Sequence, residues 1–173
     1  MTFSGGEPLF QPEFLRDLLL ACKEHELHTA LDTCGFAPFR VLDSMRDLVD
    51  LFLFDIKHLD DARHRELTGV SNRLILENLE LLSGLGQNIY LRIPLIPGLN
   101  DDPEHLHALA SYASRLPHLL RIDLLPYHAA GLEKYIRLDK PARLTYSEPF
   151  SPTQLEEIQL LFQSYGLETC LGG

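Results

Sequence analysis

The chain reads as an α/β protein, an open (β/α)6 partial TIM barrel on a single parallel sheet, and three observations lead there. Short apolar runs without polar alternation recur between amphipathic stretches at intervals of roughly 20 to 35 residues, the pattern of βα units whose strands are covered on both faces. Six such runs can be counted, the first a stub at Met1-Thr2-Phe3, so the sheet need not close as an eight-stranded barrel does. Most of the runs stop on a polar or glycine-bearing cluster, at the end where parallel α/β sheets build their sites.

Each element follows from local pattern. Over 12–25, Phe14, Leu15, Leu18, Leu19 and Cys22 recur at three and four, and Pro12 suits a first turn, which predicts an amphipathic helix. The apolar run 29–32 predicts a strand, stopped by Thr33-Cys34-Gly35. A helix over 39–45, a strand over 51–54 ending on Asp55, and two helical stretches over 62–67 and 72–83 come next. The strand 89–93 leads to the turn Pro97-Gly98, and Asp102-Pro103 supplies an N-cap and a favoured first-turn proline for a helix through 115. A strand over 119–125 ends at Pro126-Tyr127-His128. Ser151-Pro152-Thr153-Gln154 has the form of a capping box for a last helix whose Leu155, Ile158, Leu161 and Phe162 face inward, and a final strand is expected over 167–171. Residues 129–150 show no period and are long for a loop, the expectation for a lid or mobile region.

Composition narrows the function classes. An apolar fraction of 45% over 173 residues suits one domain with a core, spanning 1–173. A formal charge of -10 with no Lys/Arg cluster excludes a phosphate-reading nucleic-acid binder and leaves a protein or a small molecule as partner. No apolar run reaches the roughly 18 residues of a membrane span, so no membrane association is expected. Cys22, Cys34 and Cys170 are odd in number and far apart, which fits a reducing cytoplasm better than a disulfide framework or a zinc site.

The residues that close the strands carry the chemistry: Gly5, Gly6 and Glu7; Asp32 and Thr33; Asp55 and Lys57; Arg92; and His128. Glycines let backbone approach a ligand, the acids can take an ammonium or ribose hydroxyls, and Lys57, Arg92 and His128 can take a carboxylate. A ligand with an amino-acid end and a sugar would use all of them. Taken singly, several have plainer readings: Asp32 and Asp55 also suit helix caps, and Gly5-Gly6-Glu7 an ordinary turn. His105 and His107, two apart on a helix, make a poor metal pair, and His25, His28, His58, His64 and His118 read as surface or rim. Cys22 reads as core.

In order and spacing, Thr2-Phe3-Ser4-Gly5-Gly6-Glu7-Pro8, Leu31-Asp32-Thr33-Cys34-Gly35, Phe54-Asp55-Ile56-Lys57-His58, Leu67-Thr68-Gly69-Val70-Ser71-Asn72, Arg92-Ile93-Pro94-Leu95-Ile96-Pro97-Gly98 and Leu125-Pro126-Tyr127-His128 form a series. The series resembles the glycyl-radical-enzyme activating enzymes, radical S-adenosylmethionine proteins related to the pyruvate formate-lyase activase. Asp-Thr-Cys-Gly and the closing Gly-Gly lean toward the subgroup that activates dehydratases, decarboxylases and amine lyases. The resemblance implies that Gly5, Gly6 and Glu7 hold the methionine end of S-adenosylmethionine through its amino group. Asp55, Lys57 and His128 would fix its carboxylate and ribose, and Asp32 belongs to the same cofactor site. Asp32, Thr33 and Asp55, with the Leu53 carbonyl, match a monovalent-cation site, while Arg92 and the loop Thr33, Cys34 and Gly35 would face the partner's glycine loop. It further implies a [4Fe-4S] cluster, a glycyl-radical enzyme as partner, and flavodoxin or ferredoxin as electron donor.

One departure accompanies the match. The family's C-x-x-x-C-x-x-C cluster loop is absent, and the three cysteines here cannot replace it at that spacing. The expectation is a chain lacking the first βα unit and its cluster-binding segment, inactive by itself. Two other readings fit the same residues: a non-catalytic docking or split-partner protein for a glycyl-radical enzyme, and a barrel lyase that forms a Schiff base on Lys57.

Overall fold

Six parallel strands in the order β1-β2-β3-β4-β5-β6 form one open sheet in a computed structural model that describes residues 1–127 and 148–172. The order along the chain is β1 (Thr2–Phe3), α1 (Pro12–Glu24), β2 (Ala30–Thr33), α2 (Phe39–Asp43), β3 (Leu51–Asp55), α3 (Asp61–Thr68), α4 (Arg73–Gly84), β4 (Ile89–Leu95), α5 (Pro103–Ala113), β5 (Leu119–Pro126), α6 (Pro152–Ser164) and β6 (Thr169–Leu171). Short 3-10 turns cover Pro8–Phe10 and Arg46–Leu48. The open parallel sheet expected from the apolar runs is therefore present, including the stub strand. His128 and most of the stretch read as a lid fall outside the described residues.

Capping signals landed where the sequence put them. Asp102 accepts from the His105 N–H at 2.9 Å with Pro103 in the first turn of α5, and Ser151 and Gln154 make the reciprocal box of α6. Asp55 caps no helix; the carboxylate that caps α3 is Asp60, accepting from the Arg63 N–H at 2.8 Å. The helix expected over 39–45 stops at Asp43 and gives way to a 3-10 turn. Strand β4 runs past the expected end to Leu95 and carries Pro94. That proline is tolerated because β3 pairs with β4 only as far as Asp55 against Arg92, so beyond Arg92 one side of β4 is an edge where an N–H is dispensable.

The strands alternate more than their apolar sequences imply. Phe52 and Phe54 of β3 and Ile89, Leu91, Ile93 and Leu95 of β4 are buried in one cluster with Leu15 and Leu19 of α1, Leu79 and Leu82 of α4, Leu106 and Leu109 of α5, and Ile158 and Phe162 of α6. Each such side chain contributes about 1.5–3 kcal/mol by leaving water. Their neighbours Leu53, Asp55, Tyr90 and Arg92 stand half-buried on the other face, which is the face that holds the site. In α1 only Leu15, Leu19 and Cys22 reach the core; Phe14 and Leu18, about 100° round the helix from that stripe, are exposed.

Candidate active site

Register places a row of alternating charge across the sheet: Asp55 on β3 sits beside Arg92 on β4, which sits beside Asp123 on β5. Side chains extend the row into a continuous ladder. The Ser4 hydroxyl donates to Asp32 Oδ2 at 2.8 Å, Arg92 Nη1 meets Asp32 Oδ1 at 2.7 Å, Arg92 Nε approaches Asp55 Oδ1 at 3.4 Å, and Lys57 Nζ donates to Asp55 Oδ2 at 2.6 Å. Burial opposes the charge of Arg92, but the hydrogen bond it donates to Asp32 and the fields of Asp55, Asp32 and Asp123 outweigh it and hold its pKa above the ordinary value. Despite their approach, Arg92 Nε and Asp55 Oδ1 are buried and make no hydrogen bond. Arg92 thus lies between the two carboxylates expected to receive a cation.

Glu7 organises the loop after β1. Its carboxylate accepts from the Thr33 hydroxyl at 2.7 Å, the Cys34 N–H and thiol at 3.0 Å each, and the Leu9 N–H at 3.2 Å, tying the first loop to the second. Burial, then the bond to Glu7 and its charge, push the Cys34 thiol up to about 11, so it is a donor and not a thiolate. Gly5 and Gly6, at φ 90° and 59°, make the turn with open space where a side chain would sit, and leave backbone free to meet a ligand. Gly35 is required differently: at φ 69°, a Cβ would lie 2.3 Å from the Phe54 ring. Asn78 of α4, fully buried, donates to the carbonyls of Gly35 and Ala37 at 2.7 and 2.8 Å and fixes that loop from behind.

Two histidines read as rim residues are buried. His64 is held by its contact with the Val70 carbonyl at 2.8 Å, and His58 stacks on His105 with ring centroids 3.8 Å apart. Below the ladder, Leu53, Tyr90, Arg92, Arg121, Asp123 and Leu125 line a cavity of about 400 Å³. In it Arg121 lies over the Tyr90 ring at 4.1 Å and bonds buried Asp123 at 2.7 Å. Ser4, Asn72, Asn78, Asn100 and Asp123 were not singled out from sequence as site residues. Asn72 closes the Leu67 to Asn72 motif and Asn100 lies two residues beyond the Pro97-Gly98 turn, and that position is the only sequence signal for either.

The strand-end residues other than His128 are thus gathered on one side of the sheet's C-terminal edge. Residues 1–110 match the family model described as the radical SAM superfamily. The chain belongs to that superfamily. This radical SAM chain is 42% identical over 168 residues to the choline trimethylamine-lyase activating enzyme of Oleidesulfovibrio alaskensis, an overlap of 95% of this chain and 54% of that protein. It is 33% identical over 168 residues to the pyruvate formate-lyase 1-activating enzyme of Escherichia coli, covering 96% of this chain and 68% of the relative. Among solved structures, a domain of pyruvate-formate lyase-activating enzyme from Bacteroides vulgatus superposes with a TM-score of 0.85 at 33% identity, over 100% of this chain and 98% of that one. The chain therefore spans about half to two thirds of the length of these two curated relatives. The resemblance to activating enzymes read from the motifs is borne out by these relatives, and no helix among the described residues is long and apolar enough to cross a membrane.

Proposed function

We propose that this radical SAM chain is the S-adenosylmethionine-binding part of an activating enzyme that installs a radical on a glycine of a partner enzyme, in the cytoplasm and with flavodoxin or ferredoxin as electron donor. The observation that carries the reading is the gathering of the Gly5-Gly6 turn, Asp32, Asp55, Lys57 and Arg92 at the C-terminal edge of the sheet. Glycine backbone with open space beside it, next to acids and a lysine at one sheet edge, is a donor and acceptor set suited to a ligand with an amino-acid end and a sugar. S-adenosylmethionine fits the donor set: Asp55 would accept its ribose hydroxyls, Lys57 would face its carboxylate, and the backbone at Gly5, Gly6 and Glu7 would receive its ammonium. Bound there, it would supply the adenosyl group that takes hydrogen from a partner's glycine.

The residues of the chain do the rest by position. Arg92 keeps Asp32 and Asp55 at fixed separation, and Glu7, with its carboxylate committed to Thr33 and Cys34, shapes the Gly5-Gly6 turn rather than offering a free acid. A monovalent cation at Asp32, Thr33 and Asp55 would require Arg92 to move aside. The cysteines do not fit an iron-sulfur cluster: Cys22 is buried in the core, Cys34 is bonded to Glu7, and Cys170 lies on β6. The Schiff-base reading is not favoured, because Lys57 is ion-paired with Asp55 at 2.6 Å instead of desolvated among apolar groups.

Saturation-transfer NMR tests the proposal, since it registers weak binding. S-adenosylmethionine protons are expected to receive saturation from the wild-type chain and to lose it in Asp55→Asn. Equal transfer in both proteins, or none in the wild type at high protein concentration, would refute the assignment.

A further inference from the structure

Lys57 stands in the segment that leaves β3, where after Ile56 no strand partner fixes the backbone. Three successive carbonyls there are each taken by a side-chain amide from another loop. Asn100 Nδ2 donates to the Lys57 carbonyl at 3.2 Å and to the Pro94 carbonyl at 2.6 Å. Asn72 Nδ2 donates to the His58 carbonyl at 2.9 Å and the Leu59 carbonyl at 2.6 Å. Both amides are buried, so water cannot stand in for either. Each is itself fixed: Asn100 Oδ1 accepts from the Ile96 N–H at 2.8 Å, and the Asn72 N–H is held by Asp61 at 3.1 Å. The stack of His58 on His105 closes the segment from the side of α5.

We infer that Asn72 and Asn100 are positioning residues for Lys57: two buried amides fix the path of residues 57–59 and thereby hold Lys57 Nζ on Asp55 across the mouth of the site. The ion pair alone cannot do this. A half-exposed lysine on a flexible stem gains little from one carboxylate, and such pairs order a side chain only where the backbone beneath is already placed. Asn100 bridges the end of β4 to the Lys57 loop, and Asn72 bridges the start of α4 to it, so the loop is tied at both ends to regular structure. What Lys57 then binds rests on the proposed function; the clamp does not.

Acylation of lysines, quantified by peptide mass spectrometry, reads the clamp without any cofactor. Lys23 is the internal reference, because its side chain is 38% exposed against 37% for Lys57 and it is paired with Asp50 at 2.7 Å. Asn100→Asp keeps an oxygen for the Ile96 N–H and removes both N–H donors. The Lys57 rate is expected to rise about twofold to fivefold relative to Lys23, the worth of one exposed ion pair, with unchanged far-ultraviolet circular dichroism. Asn72→Asp, at the other amide, is expected to act in the same direction and serves if the first variant does not fold. An unchanged Lys57 to Lys23 ratio in a folded variant, an equal rise at both lysines, or loss of fold in both variants would overturn the inference. Saturation transfer to S-adenosylmethionine separates the two ideas: a raised Lys57 ratio with undiminished transfer would support the clamp and count against Lys57 as a ligand for the nucleoside.

Discussion

Replacing His105 with phenylalanine should remove most of an acid-sensitive component of stability. Burial, and then the neighbouring His58 ring, push the His105 imidazole down from 6.5 to about 4, against the pull of Asp102 and Asp60. His58 is lowered as well, by burial first, with Asp60 and Asp102 opposing and Arg63 adding. The folded protein thus refuses a proton that the unfolded chain accepts, so the neutral pair stabilises fully above about pH 6.5 and less as pH falls toward 4. The His105 difference converts to about 3 kcal/mol, reduced to about 2 kcal/mol for water at the helix end. Phenylalanine keeps a ring on His58 and also removes Nε2, which is buried without a partner. Urea unfolding at about pH 7.5 and about pH 4.5 should show the wild type losing about 2 kcal/mol more than His105→Phe. Asp50, held down at about 2, titrates below this window and affects both proteins alike. Equal losses in the two proteins would refute the reasoning.

Gly35→Ala should lower the urea midpoint by the equivalent of about 2–4 kcal/mol, because the added Cβ meets Phe54 and the residue must hold a positive φ; a change under about 0.5 kcal/mol would show that the ring gives way freely. Alkylation of Cys34 by iodoacetamide should rise with pH toward an inflection near 11, and Glu7→Gln should move that inflection down by removing the negative charge beside the thiol; a plateau below about pH 9 in the wild type would be incompatible with the Glu7 bond. Asp50→Asn should cost about 1 kcal/mol at neutral pH and nothing near pH 2. The carboxylate's pKa is depressed despite burial by Lys23 and Thr29, so its stabilisation is present above 3.8 and lost as pH falls toward about 2; a variant as stable as wild type at pH 7 would show the staple between Thr29 and Asp50 to be idle.

The fold was legible because its signals are local and redundant. Asp102-Pro103 and the Ser151 box specify helix starts by hydrogen bonds within four residues, and the apolar runs ending on Asp32 and Asp55 specify strands and the direction of the site together. What stayed hidden depends on contacts distant in sequence. Nothing around His58 foretells a ring 47 positions later that stacks on it, so a histidine beside Lys57 reads as a rim residue until α5 is packed. Glu7 shows the same limit from the other side. Its place beside two glycines marks a site, but only the folded loops reveal that Thr33 and Cys34, 26 and 27 positions away, consume its carboxylate.

The charged row explains why a site of this kind tolerates so many ions at one sheet edge. Asp55, Arg92 and Asp123 occupy matched register positions on adjacent strands, so each cation has an anion at strand spacing, and the row alternates sign without any helix supplying a counter-charge. A one-residue slip of β4 would turn Arg92 into the helix-facing core and bring Leu91 or Ile93 to the site, a change opposed by the four buried β4 side chains Ile89, Leu91, Ile93 and Leu95. The apolar face thus sets the register, and the register sets the pairing of charge. The spacing of the ladder is therefore fixed by packing on the opposite side of the sheet, whereas the Gly5-Gly6 turn and Lys57, with its two asparagine tethers, depend on loops.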